Sequence, residues 1–362
     1  MALDASLTRR RKKKTGSRPL GGWFAGFLLL LVLLAGLLLW RYGRTPGPLH
    51  EGEVVVLIPP RSSLSAIQGY LQAARVIPPD GRFQWYARLR GKATRLQAGE
   101  YAFRPGQTPE DVLQILASGR GIRHKITIPE GFSIAQIGGL VETVGLGTRE
   151  QFIALANDRE IPQRLGIEAE SLEGYLYPDT YYFSRNQTLS EMVTSMAERG
   201  RRVLDEMVAA APANHGLTPH QVLTLASIVE KETGQPQERP LIARVFLNRL
   251  SQGMRLQADP TVIYGLRQFD GNITKADLKA SNPYNTYVNS GLPPGPIASP
   301  GREAIAAVLN PAPGAYLYFV SRNDGSHQFS ATLAEHNRAV NTYQPKKPPT
   351  AAVARSRRAA RK

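Results

Sequence analysis

Two glutamates, Glu230 and Glu232, close an otherwise apolar stretch that reads Ala226-Ser227-Ile228-Val229-Glu230-Lys231-Glu232-Thr233. Charged groups rarely stand beside a buried stripe unless they are paired or used. Desolvation raises the pKa of an acid in such a place. A carboxyl kept protonated near neutral pH can give its proton to a glycosidic oxygen. The stretch is expected to be the end of a helix. Thr218-Pro219-His220-Gln221 has the spacing of a capping box with proline at its first position, and Gly234 follows the last periodic residue. At about 100° per residue, Leu225 and Ile228 flank Glu232, with Val229 next to it. Glu230 falls on the opposite border, between Leu223 and Ala226, and Lys231 points to solvent. Glu232 is therefore expected deeper in the apolar face. In the competing reading each glutamate is ion-paired to a base such as Arg239, Arg244 or Arg249, and the local pattern does not choose between the two.

Downstream, Gln257, Asp259, Thr261 and Tyr264 precede Asn282-Pro283-Tyr284-Asn285-Thr286-Tyr287 and Gly291-Leu292-Pro293-Pro294-Gly295-Pro296-Ile297. Tyrosine and asparagine in rigid loops suit sugars, which offer apolar ring faces and many hydroxyls. The same residues also suit a structural loop packed on helices. No metal or cofactor is expected. His50, His124, His215, His220, His327 and His336 are scattered without zinc-site spacing. The lack of cysteine excludes disulfides, thiolate metal sites and a cysteine nucleophile. No phosphate-binding or dinucleotide fingerprint occurs. Ser227 lacks the glycines of an elbow nucleophile and reads as a packing residue.

The chain of 362 residues has a net charge of +16 and a pI near 10.1. That basicity belongs to two tails. Residues 1–45 carry a net +8 and residues 345–362 a net +7, leaving +1 for the rest. Nucleic-acid binding therefore has no support from the folded part. From Trp23 to Trp40 the chain is uncharged and apolar. It is long enough for roughly 27 Å of helix, close to one hydrocarbon core. A tryptophan at each end fits the interfacial belt. The basic cluster at residues 9–14 places the N-terminus in the cytoplasm and everything after Trp40 outside. A cleaved signal peptide is the alternative, but no small-residue cleavage site follows.

Residues 42–52 read as a short Pro/Gly linker. Residues 53–142 alternate strand and helix in small units: strands at 54–58, 98–103 and 126–128, and helices at 63–76, 82–90, from Thr108 to Gly119, and after Ser133. Residues 143–213 are mainly helical, broken by the aromatic stretch 173–183. Two helices fill 217–252, and 253–300 is a long irregular region. A hairpin turning at Asn323-Asp324-Gly325 and a helix at 333–343 follow. The Pro-, Ala- and Arg-rich residues after Pro345 are expected to be disordered.

Several of these stretches together carry a resemblance. LASIVEKET, RVFLNRL, GMRLQADPTVIYG, NPYNTY and GLPPGPIASPG occur in order, with EGYLYPDTY upstream and YLYFV downstream. The chain resembles the endolytic murein transglycosylases of the YceG-like family over about residues 50–343. The resemblance implies an α+β protein: basic cytoplasmic segment 1–21, transmembrane helix 22–41, linker 42–52, LysM-like region 53–142, catalytic domain 143–343 with an irregular cleft-lining region, and basic tail 344–362. It implies Glu232 as the catalytic acid/base. Glu230 would be supporting or structural, and Glu230, Gln257, Asp259, Thr261, Tyr264, Asn285, Thr286 and Tyr287 would line the substrate cleft. The implied reaction is non-hydrolytic cleavage of the N-acetylmuramic acid–N-acetylglucosamine bond to a 1,6-anhydro end, terminating nascent strands at the cytoplasmic membrane. Implied partners are peptidoglycan strands, the membrane and the wall-synthesis machinery. A non-catalytic peptidoglycan-binding anchor and a hydrolytic muramidase, with Asp259 as second carboxylate, are the competing functions.

Overall fold

The computed structural model describes residues 20–48, 51–211, 215–266 and 269–345. The basic segments at 1–19 and 346–362 lie outside them. The chain is mixed α+β and divides into two compact units, Met1–Ile122 and Arg123–Lys362.

The first unit opens with helix α1 (Leu20–Arg44). Its Trp23–Arg44 portion is long and apolar enough to cross a membrane, with a mean hydropathy of 2.5. Strand β1 (Val54–Ile58) pairs antiparallel with β2 (Gly99–Phe103), Val54 opposite Phe103 and Ile58 opposite Gly99. Helices α2 (Leu64–Ala73) and α3 (Arg82–Leu89) lie between the strands in sequence, and α4 (Pro109–Ser118) follows them. Thr108 and Asp111 form a capping box at the start of α4, and Gly119 ends it at φ 67°, a left-handed conformation that suits glycine. Ile58, Leu71, Phe83, Tyr101, Phe103, Leu113 and Leu116 fill the core. The expected linker at 42–52 is shorter than read, because α1 continues to Arg44 and its last turn packs on the unit. Tyr42 is buried, and Gly47 donates its N–H to Gln107 O at 3.0 Å.

The second unit starts before residue 143, where the sequence placed the boundary. Strand β3 (His124–Thr127) pairs with β4 (Thr180–Phe183), and α5 (Ile134–Thr143) packs on α6 (Arg149–Ala156). Ile137, Val141 and Phe152 share its core. The expected 53–142 region is thus split, since strand partners 53 to 59 positions apart leave no local trace. Helices α7 (Glu160–Arg164), α8 (Leu189–Ala210), α9 (Pro219–Glu232), α10 (Arg239–Ser251), α11 (Asp259–Gly265) and α12 (Arg302–Leu309) follow. The hairpin β5 (Tyr318–Ser321) and β6 (His327–Ser330), then α13 (Leu333–Tyr343), complete the unit.

Helix α9 is the centre of this unit and packs on α8, α10, α11 and α12. Residues 222–229 are buried on every side, so the helix has no free polar face there. Its two buried hydroxyls are satisfied. Thr224 donates to His220 O at 2.8 Å. Ser227 donates to Thr224 O at 2.7 Å and accepts from Ile297 N at 3.0 Å. Ser227 is the packing residue that the sequence reading expected, and it ties the 291–297 loop to the central helix. Ser227→Ala leaves the Ile297 N–H without an acceptor and should lower stability by about 1–2 kcal/mol. An unchanged denaturation midpoint would contradict this role.

Candidate active site

The last turn of α9 separates the two glutamates by pairing rather than by depth. The Glu230 side chain is only 6% exposed. It takes a 2.8 Å ion pair from Arg239, and its other oxygen accepts from Gly301 N at 2.9 Å. Arg239 also reaches Glu303 at 2.8 Å and Glu130 at 3.5 Å. Glu230 is thus committed to structure, which removes it from the expected substrate contacts. Glu230→Ala strips Gly301 of its acceptor and Arg239 of its best-buried partner. With Glu303 still on Arg239, the expected loss is about 2–3 kcal/mol, read as a lowered thermal midpoint. Glu230→Gln should recover part of it by keeping the Gly301 bond.

Glu232 has no ion pair or hydrogen bond among the described residues. Burial pushes its carboxyl up to about 8, the nearby charge of Asp259 adds to the shift, and Arg249 opposes it. Arg249 is buried and rigidly held. Its Nε donates to Leu317 O at 2.7 Å, its Nη1 donates to Leu256 O at 2.6 Å, and its guanidinium lies 5.5 Å from the Tyr318 ring. Asp259, exposed at the start of α11, accepts from the Tyr287 hydroxyl at 2.6 Å. Burial and that bond push the Tyr287 hydroxyl above its usual range, and Glu232 contributes to the same shift. Glu232, Asp259, Tyr287 and Arg249 therefore form one electrostatic cluster.

The other expected contacts divide. Gln257 is exposed beside this cluster with φ 51°, and its N–H donates to Thr286 O at 3.2 Å. A non-glycine residue held left-handed is a strained position of the kind that collects at functional sites. Thr261, Asn285 and Thr286 are at most 1% exposed and do not line a cleft. The Thr261 and Thr286 hydroxyls meet at 2.9 Å, Thr286 Oγ1 accepts from Ala258 N at 3.0 Å, and Asn285 Nδ2 donates to Ala280 O at 2.8 Å. These three staple the loops that carry Asp259 and Tyr287. Polar residue type alone could not tell a staple from a contact. Helix α11 itself, in a region read as irregular, has seven residues, too few for periodicity to show.

Tyr264 on α11 donates to Glu173 Oε2 at 3.1 Å and packs 4.7 Å from the Tyr284 ring. Glu173 is 4% exposed and accepts from Ile134 N, the first residue of α5, at 3.1 and 3.3 Å. Burial pushes its carboxyl up to about 7, against the lowering effect of those bonds. The sequence reads 173–183 as a break in a helical pattern and as one motif of the family resemblance, with no role for Glu173. The available signal was an acid opening an aromatic stretch. Glu173 and Tyr264 line a cavity of about 520 Å³ with Ser133, Gln136, Asn157 and Lys231, walled by Ile134, Ile153, Ile263 and Ile297. A cavity of this size and mixed lining is typical of small-ligand sites. Glu232, Asp259, Tyr287 and Arg249 are not on its wall; the chain reaches it through Lys231 and Pro260, the residues next to Glu232 and Asp259.

The sequence profile of the YceG-like family matches residues 56–342, nearly the whole described chain beyond α1. The chain belongs to the YceG-like family. It is 35% identical over 306 residues to the endolytic murein transglycosylase of Bacillus subtilis, covering 80% of this chain and 84% of that protein. The Streptococcus pneumoniae proteins of the same name are 30% and 31% identical, with 79% of this chain covered but 58% of theirs. A crystal structure of a yceG-like protein from Listeria monocytogenes, 31% identical, superposes with a TM-score of 0.54 over 80% of this chain and 99% of that one. The paired Glu230, the unpaired Glu232 and the Glu173–Tyr264 bond all lie inside the matched span.

Proposed function

We propose that this YceG-like chain cleaves peptidoglycan glycan strands internally as a lytic transglycosylase, with Glu232 as its single acid/base. The observation that carries this is an unpaired, desolvated carboxyl pushed up to about 8, with Asp259 and Arg249 as its charged neighbours. At neutral pH Glu232 is protonated and gives its proton to the glycosidic oxygen as the bond from muramoyl C1 breaks. The resulting carboxylate takes the proton of the muramoyl 6-hydroxyl while that oxygen bonds C1. This closes the 1,6-anhydro ring and restores the acid. Arg249 steadies the transient carboxylate, and the Asp259 charge drives it to recover a proton. One carboxyl suffices because the nucleophile belongs to the substrate. Gln257, Tyr287 and Tyr264 would meet the strand. Helix α1 would anchor the enzyme by a single pass with the second unit outside the cytoplasmic membrane, close to nascent strands and the wall-synthesis machinery. The first unit, with its own core, would serve as the LysM-like wall-binding module.

The hydrolytic reading rests on Asp259, a second carboxylate in the same cluster. Ordinary glycosidases need two. Strand-length analysis tests the endolytic claim. Purified strands should shorten to intermediate lengths. Unchanged lengths would leave a binding anchor, and terminal disaccharides alone would exclude internal cutting.

A further inference from the structure

Helix α3 shows a face that the strand-cleaving reaction does not use. Phe83, Tyr86 and Ala87 are buried, while Arg82, Trp85, Arg88 and Leu89 are exposed on one side. Trp85 and Leu89 are each 64% exposed, one helical turn apart. The Arg88 guanidinium lies 5.4 Å from the Trp85 ring and makes no ion pair among the described residues.

The position of this face is fixed by α1. Tyr42, in the last turn of α1, packs edge-on against Tyr86 at 5.9 Å, and Arg82 lies 4.7 Å over the Tyr42 ring. A Cβ on Gly43 would collide with the Tyr86 ring, so the contact admits no spacer. Tyr42 stands two residues past Trp40, the last apolar residue of the span, which is about 3 Å along the helix axis. The polar zone on each side of a hydrocarbon core is roughly 5–8 Å deep. Arg82 and Tyr86, which touch α1, adjoin the stripe that carries Leu89, Trp85 and Arg88. The Arg88–Trp85 stack repeats the Arg44–Trp40 stack, 4.2 Å, at the end of α1. Tryptophan and arginine together are the residues of a membrane interface.

We infer that the exposed face of α3 docks on the lipid headgroup layer of the bilayer that α1 crosses, with Trp85 and Leu89 set among the headgroups and Arg88 on lipid phosphate. This rests on α1 being a membrane span. Docking would fix the first unit against the membrane surface instead of leaving it on a free tether.

The test uses the full chain in nanodiscs containing phosphatidylglycerol, with lipids brominated near the headgroup as quenchers. Trp23→Phe/Trp40→Phe leaves Trp85 as the reporter, and Trp23→Phe/Trp85→Phe leaves Trp40. Both tryptophans should be quenched by the brominated lipid, at least twofold more than in unbrominated discs, and Trp85 should resist iodide. Quenched Trp40 with Trp85 open to iodide would overturn the docking while keeping the span. Trp85 shielded from both quenchers would show a second copy or another protein on the face, which also overturns it. Trp40 unquenched by lipid would remove the span itself, and the docking with it.

Discussion

Glu232→Gln should lower the rate of strand cleavage by at least about 10²–10⁴-fold, the usual contribution of a positioned acid/base. It should also stabilise the protein at neutral and alkaline pH. The carboxyl stands at about 8 in the fold against an ordinary 4.5. Between those values the folded chain holds a proton that the unfolded chain has released. Stability therefore falls as pH rises from about 4.5 to 8 and levels off above. Glutamine carries no such penalty. The variant's advantage should be small at pH 4 and grow to about 2–4 kcal/mol by pH 8, allowing for the partial exposure of Glu232. Denaturant midpoints across that range, beside the activity assay, check both halves. A wild-type rate that falls as pH passes 8 is the matching kinetic sign. A variant that loses activity and stability together would point to a structural role instead.

Glu173→Ala should be the most damaging substitution outside the Glu232 cluster. It leaves the Ile134 N–H and the Tyr264 hydroxyl without their acceptor in a buried place. At about 1–3 kcal/mol for each unsatisfied group, the expected loss is about 2–5 kcal/mol. Glu173→Gln should keep most of that stability, because one amide oxygen at the Oε2 position can accept from both donors, 3.3 and 3.1 Å away. Urea denaturation at pH 4, below the ordinary carboxyl value of 4.5, isolates the hydrogen bonds from the charge. Above that pH the glutamine variant should gain on wild type up to about pH 7, since the folded-state value is raised to about 7. Equal midpoints for alanine and wild type would remove Glu173 from the account.

Much of the scaffold was legible in the chain because its signals are local. The strand at 54–58, the cap at Thr108, the helix stop at Gly119, the capping box at Thr218 and the final helix at 333–343 stand where residue type and spacing put them. The turn at Asn323 and Gly325, with φ of 63° and 86°, does too. Pairing across long separations was not legible. The wheel placed Glu232 deeper than Glu230, yet what distinguishes them is Arg239, Gly301 and Glu303, which no periodicity displays. Nor could spacing show that Glu173 meets Tyr264 across 91 positions. Asn285 and Thr286 resemble sugar contacts because the same amide and hydroxyl groups that bind glycans also satisfy buried backbone carbonyls and N–H groups.

Cleaving purified strands in heavy-oxygen water and weighing the new ends separates one carboxyl acting twice, with no water consumed, from hydrolysis. The expected products are 1,6-anhydromuramoyl ends, one water lighter than reducing ends, with no heavy oxygen, and none of them from Glu232→Gln. Reducing ends carrying heavy oxygen would contradict the single-carboxyl reaction and make Asp259 the second carboxylate of a hydrolase.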